Sequence, residues 1–202
     1  MDTPLPTQVD QTKRSLRAAI IPQLRGFDPQ ARESASRQIL AQLLELPECA
    51  HARTVMGFLA TQEEPWLDPL ITLLPARGIR FAAPRNDWHA REITPCLLSS
   101  PSDAIATRHN LREPGPLCTP VEPSEIDLIL VPGVAFDAFG KRLGRGGGFY
   151  DRFLGRPDMR ARRVGIAFDL QVVPDVPALV HDARMDLILT QSRLIRPAPA
   201  SR

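Results

Sequence analysis

A single α/β domain is the fold class that the sequence predicts: a mostly parallel, three-layer, Rossmann-like sheet with helices on both faces. Two observations predict it. Apolar runs of strand length that do not alternate, such as residues 126–131 (IDLILV), suit strands buried on both faces. Segments with helical start signals separate those runs, as in chains of βαβ units. At 202 residues and 43% hydrophobic, the chain can bury one good core and is short for two domains. Residues 1–202 are therefore expected to form one domain, with flexible tails at 1–6 and 197–202.

The elements follow in order. Residues 7–24 read as a first helix, with Leu16, Ala19 and Ile20 on one face and Gly26 just past the end. Asp28-Pro29 is an N-cap followed by a first-turn proline, opening a second helix to about residue 46. Residues 54–60 (TVMGFLA) predict a buried strand, 66–76 a third helix stopped near Gly78, and 79–83 a second strand ended by Pro84. The stretch 86–123 is weakly patterned, with one strand around 92–97 and then mostly loop. Residues 126–131 form a strand that feeds a glycine-rich loop and a helix starting near Phe149. Residues 163–168 and 185–190 supply two more strands.

Composition narrows the function classes. Lys13 and Lys141 are the only lysines among 25 basic residues, and the net charge is +2. The arginine bias reads as composition, because no basic motif is interleaved with aromatics, so no nucleic-acid partner is expected. The longest apolar run, 128–136, is broken by Pro132 and Gly133, so no membrane span is expected. Residues 1–13 are polar and carry no signal peptide of ordinary pattern. Cys49, Cys96 and Cys118 are odd in number and widely spaced, without a CxxC, which indicates neither a zinc site nor a disulfide framework. A cytoplasmic, monomeric protein acting on small molecules is the expectation.

Residues 131–154 (VPGVAFDAFGKRLGRGGGFYDRFL) are the most informative stretch. Gly144, Gly146, Gly147 and Gly148 sit between a strand and a helix, where such a loop can adopt positive φ and turn backbone N–H groups toward a phosphate. Arg142 and Arg145 bring cationic forks to the same place, and the following helix adds its partial positive charge. No Gly-Lys-Ser/Thr follows, so this is not a Walker loop, and Phe149 occupies the third glycine position of a dinucleotide fingerprint. A plain flexible loop is an equally open reading of the glycines alone. Asp151 either holds a magnesium ion over phosphates or stabilises the helix start.

The string PGVAFDxxGxRLGxGxGxYDRFL closely resembles the signature of the 5-formyltetrahydrofolate cyclo-ligase (methenyltetrahydrofolate synthetase) family. Three further segments are similar to that family in the same order: Lys13-Arg14-Ser15-Leu16-Arg17, Phe58-Leu59 with Glu64, and Val164–Phe168 with Gln171, His181-Asp182 and Asp186. The resemblance implies an enzyme that uses ATP as co-substrate and Mg²⁺ to cyclise 5-formyltetrahydrofolate to 5,10-methenyltetrahydrofolate, releasing ADP and phosphate. It assigns ATP binding to Lys13, Arg17, Arg142, Gly144, Arg145, Gly146, Gly147, Gly148, Phe149 and Tyr150. Folate contacts fall on Leu59, Glu64, Arg145, Gly146, Gly147, Gly148 and Phe149, and metal ligation on Asp151 and Asp182. Arg142, Arg145 and Glu64 are the expected catalytic residues, with Glu64 either anchoring the pterin or taking the proton of N10. Glu63 reads as a solvated neighbour, and His181 has no role. The chain departs from some relatives at Gly147, where a basic residue can stand, and at Phe149, often Tyr, where stacking is kept and a hydroxyl is lost. A sugar-phosphate isomerase or CoA-transferase-like α/β enzyme is the other reading, binding phosphate at the same loop without ATP. An RNA-binding module built on the arginines is a third, and would show salt-sensitive binding.

Overall fold

The computed structural model describes residues 8–107, 111–180 and 182–198. The expected tail at 1–6, residues 199–202 of the tail expected at 197–202, and His181 lie outside these described residues. The chain opens with helices α1 (Gln8–Arg25), α2 (Pro29–Glu45) and α3 (Pro47–Ala50), followed by strand β1 (Thr54–Met56) and the single turn α4 (Leu70–Leu73). A hairpin of β2 (Arg80–Asp87) and β3 (Glu92–Leu97) follows, then the short strands β4 (Ala104–Ala106) and β5 (Arg112–Pro114). The second half holds β6 (Leu128–Val131), β7 (Ala135–Phe136), β8 (Arg142–Leu143), α5 (Phe149–Leu154), β9 (Arg162–Ile166), β10 (Leu187–Leu189) and β11 (Leu194–Ile195).

A seven-stranded sheet of order β11-β10-β9-β6-β1-β2-β3 forms the middle layer. Its five inner strands are parallel, and β3 and β11 pair antiparallel at the two edges. The inner strands are buried on both faces, which is why their sequences do not alternate. Val55, Leu128, Leu130, Val164, Ile166 and Leu187 join one core cluster with the buried residues of α1 to α4, whereas Met56, Ile129, Val131 and Ile188 join another with Phe153 and Leu154 of α5. Among the described residues the α-helices are shared unequally: four on one face and α5 alone on the other.

The α2 start forms as its sequence predicts, with Asp28 Oδ1 accepting from the Ala31 N–H at 2.8 Å and Pro29 at the first helical position. Several boundaries differ, each for a local reason. The strand expected over 54–60 leaves the ladder after Met56, once the Gly57 N–H has bonded the Ala82 carbonyl. The helix expected over 66–76 is reduced to α4 and a 3-10 turn (Pro75–Arg77), because Pro69 and Pro75 bracket it and Pro75 lacks the N–H that would continue the ladder. Pro84 does not end β2. It pairs with Pro95, and since the Leu97 N–H points away from β2 to the Thr119 carbonyl, residues 84 and 95 fall at non-bonded sites where proline forfeits no hydrogen bond. Asp127, expected within a strand, spends its carboxylate on the Arg53 and Thr54 N–H groups, and β6 begins one residue later. Strands β4, β5, β7, β8 and β11 are two or three residues each, too short to leave a period.

The connections from β1 run toward β2 and those from β6 toward β9, so the direction of winding reverses between two adjacent strands. The loops leaving the carboxyl ends of β1 and β6 diverge there and open a crevice, the position at which open α/β sheets take ligands.

Candidate active site

That crevice is a cleft of about 1470 Å³, larger than the roughly 300–1,000 Å³ typical of a site for one small molecule. Residues 58–64, after β1, form one wall, and Pro132, Gly133 and the run 142–151, after β6, form the other. Helix α1 closes one side with Asp10, Lys13, Arg14 and Arg17. All fourteen residues implicated by the sequence border this one space, from Lys13 and Arg17 through Leu59, Glu64 and the 142–151 run to Asp182.

Each side chain is held by identifiable contacts. The four-residue spacing of Lys13 and Arg17 sets both toward the cleft: Lys13 Nζ pairs with Asp182 Oδ2 at 2.5 Å, and Arg17 Nε donates to the Gly144 carbonyl at 2.8 Å. Burial lowers Arg17 from its ordinary value, opposed by the charges of Asp10 and Asp182, and it remains a cation. Gly146 (φ 101°) and Gly148 (φ 72°) carry the loop through the left-handed region, which leaves the backbone beside Arg17 without side-chain cover. The helix that follows is only six residues, so its dipole supplies less than the sequence suggested.

Arg142 behaves differently from Arg145. Its guanidinium is buried, donating from Nη1 to the Pro132 carbonyl at 3.1 Å and from Nη2 to Asp151 Oδ1 at 2.7 Å, and it lies 5.7 Å from the Tyr150 ring centroid. The Tyr150 hydroxyl and Arg142 Nε are both buried without a hydrogen-bond partner among the described residues. Burial, and then the charge of Glu64, push the Tyr150 phenol well above its usual value, so it stays protonated and can only donate to an anionic ligand. Arg145 is half-exposed, 2.7 Å from Glu63 Oε2 and 3.6 Å from Glu64 Oε1. Glu64 is fixed by its own turn, Oε2 accepting from the Thr61 N–H and hydroxyl at 2.9 Å each.

Glu63 is not the solvated acid that the sequence suggested, because its side chain is 15% exposed between Arg25 and Arg145. Sequence reasoning also missed Asp10, Asn86, Trp88 and Arg112 of the lining. Trp88 meets Phe149 edge to face at 5.2 Å, reached only because β2 runs on past Pro84. Arg112 arrives on the unpatterned β5 and is bound through both terminal nitrogens by Asp68. Placing Asn86 and Trp88 in the wall requires the strand to cross a proline, which local propensity argues against.

No cluster of three or more His, Cys, Asp or Glu residues converges among the described residues, so nothing here resembles an all-protein metal cage. Magnesium usually keeps only one or two carboxylates and takes its other oxygens from phosphate and water. Asp151 fits that arrangement, since Arg142 occupies Oδ1 and Oδ2 carries no hydrogen bond among the described residues. Asp182 fits less directly, its Oδ2 being shared by Lys13 and the Leu179 N–H.

Comparison with known proteins gives this cleft a family. A curated 5-formyltetrahydrofolate cyclo-ligase of Mycolicibacterium smegmatis is 34% identical over 190 residues, covering 91% of this chain and 95% of its own. That of Escherichia coli K12 is 31% identical over 173 residues, covering 84% and 95%. The solved structure of Aquifex aeolicus 5,10-methenyltetrahydrofolate synthetase superposes with a TM-score of 0.81 at 28% identity, covering 94% of this chain and 95% of its own. A family model described as the 5-formyltetrahydrofolate cyclo-ligase family matches residues 9–191, and the chain is therefore a member of that family of ligases.

Proposed function

We propose that this enzyme cyclises 5-formyltetrahydrofolate to 5,10-methenyltetrahydrofolate, using ATP and Mg²⁺ and releasing ADP and phosphate. One observation carries the proposal: a single cleft, too large for one small ligand, joins a cationic glycine loop that ends in Phe149 to a facing wall bearing Leu59 and a turn-fixed carboxylate, with Trp88 against Phe149. Lys13, Arg17 and Arg145, with the bare backbone at Gly144, Gly146, Gly147 and Gly148, suit a triphosphate. Leu59 and Phe149 suit the flat pterin, and Glu64 either anchors it or accepts the N10 proton.

The chemistry required matches what these groups can supply. A formyl amide oxygen is a poor leaving group, so it is first converted to a phosphate ester by the γ-phosphoryl of ATP, with ADP departing. N10 then attacks the same carbon, N10 loses its proton, and the C–O bond breaks to release inorganic phosphate carrying the former formyl oxygen. Arg145 neutralises charge on the moving phosphoryl group, and Arg142, buried and fixed, holds Asp151 in place. Asp151, with Asp182 as a second carboxylate, would hold magnesium, which supplies charge neutralisation on the phosphate oxygens. No nucleophilic side chain is needed. A monomer in the cytoplasm completes the proposal, in keeping with three free cysteines and with the lack, among the described residues, of any helix long and apolar enough to cross a membrane.

Following methenyltetrahydrofolate absorbance with 5-formyltetrahydrofolate, in the presence and absence of ATP and of Mg²⁺, tests this directly. Product is expected only with both. Turnover that is indifferent to ATP would point instead to a phosphate-binding isomerase or transferase.

A further inference from the structure

Glu63 has no part in the scheme above, and its surroundings give it one. Its carboxylate accepts from Arg145 Nη1 at 2.7 Å through Oε2 and from Arg25 Nε at 2.8 Å through Oε1. Neither partner is local: Arg25 ends α1, and Arg145 lies 82 residues further along the chain in the glycine loop. Burial alone would raise the Glu63 carboxyl, but hydrogen bonds from the two guanidiniums outweigh it and hold the group below its ordinary value. Glu63 is therefore an anion throughout the neutral range.

Arg145 needs such a partner. It is flanked by Gly144 and Gly146, so the backbone on either side offers no side chain to pack against its long stem. One contact leaves a guanidinium free to swivel, whereas two contacts to different nitrogens fix its plane. Here Nη1 meets Glu63 and Nε lies 3.6 Å from Glu64, while Nη2 carries no hydrogen bond among the described residues. Arg25, itself largely exposed, engages the other Glu63 oxygen, so that the carboxylate is held from both sides.

We propose that Glu63 is a positioning residue for catalysis, bracing Arg145 across the cleft beside Glu64, where the nucleotide and folate sides meet. The inference rests on the proposed function and acts through Arg145 alone.

A double-mutant cycle tests it. Wild-type enzyme, Glu63→Gln, Arg145→Ala and the double variant are compared in kcat/KM for ATP at saturating folate, with Tm recorded for each. Glu63→Gln is expected to lose about tenfold in kcat/KM, a size in keeping with a lost charge-assisted contact, with little change in Tm because the bridge is partly exposed. In the Arg145→Ala background the same substitution is expected to cost nothing further. Glu63→Asp keeps the charge, shortens the reach and should fall between, and it serves as the probe if Glu63→Gln folds poorly. Equal losses in both backgrounds, or wild-type kinetics for Glu63→Gln, would overturn the inference. Failure of the wild-type enzyme to turn over with ATP would instead remove the proposed function on which it rests.

Discussion

At the scale of single residues, the two carboxylates proposed to serve the folate and the metal are held in opposite ways. Glu64 is tied to its own turn through Thr61, whereas Asp151 is tied to a buried cation, Arg142, and keeps one oxygen open. That difference makes the metal and folate assignments separable. Asp151→Asn removes the charge that holds a hard cation, so its activity should depend more steeply on Mg²⁺ and recover in part at high Mg²⁺. Its amide oxygen can still accept from Arg142, but the charge pairing is lost, and a fall in stability of about 1–3 kcal/mol is expected. Glu64→Gln should show its defect in folate dependence or turnover, with Mg²⁺ dependence unchanged. Titration of both variants against Mg²⁺ and 5-formyltetrahydrofolate decides this. Rescue of Glu64→Gln by metal, with Asp151→Asn indifferent to it, would reverse the two assignments.

Among the elements, the glycine loop is the one whose conformation a substitution should expose. Gly146 sits at φ 101°, and a Cβ there would meet nothing nearer than Arg17, at 3.7 Å. The obstacle to a side chain is therefore the backbone conformation, which costs a non-glycine residue about 1–2 kcal/mol. Gly146→Val should lower Tm by only about 2–8 °C, at 2–4 °C per kcal/mol for a chain of this size. Its kcat/KM for ATP should fall at least tenfold, as the loop relaxes away from the phosphate position. Normal ATP kinetics would make the loop a mere connector. This loop was legible in the sequence because glycine identity encodes backbone freedom directly, and the α2 start was legible because Asp28-Pro29 is a local signal. Strand β2 past Pro84 was not, since only the register with Pro95 makes proline harmless there. Glu63 was misread for a related reason: its partners are 38 and 82 residues away, and no local rule reaches them.

Over the whole molecule, the same reversal of winding that fixes the sheet order also opens the site, so fold and cleft have one origin. Among the described residues, helix α1 is laced to the cleft by Lys13 to Asp182, Arg17 to Gly144 and Arg25 to Glu63. The first of these contacts spans 169 residues of sequence, so chain segments from both ends must be in place before the site exists. The parallel sheet was readable from continuous apolar runs, whereas the unequal sharing of helices between its faces was not, because residues 86–123 carry short strands without a period. The central claim is that ATP activates the formyl oxygen within this cleft. Following a heavy-oxygen label from the formyl group of 5-formyltetrahydrofolate through one turnover with ATP and Mg²⁺ measures it most directly. The label is expected in inorganic phosphate, with one ADP formed per methenyltetrahydrofolate; label released to water, or product formed without ADP, would contradict the account.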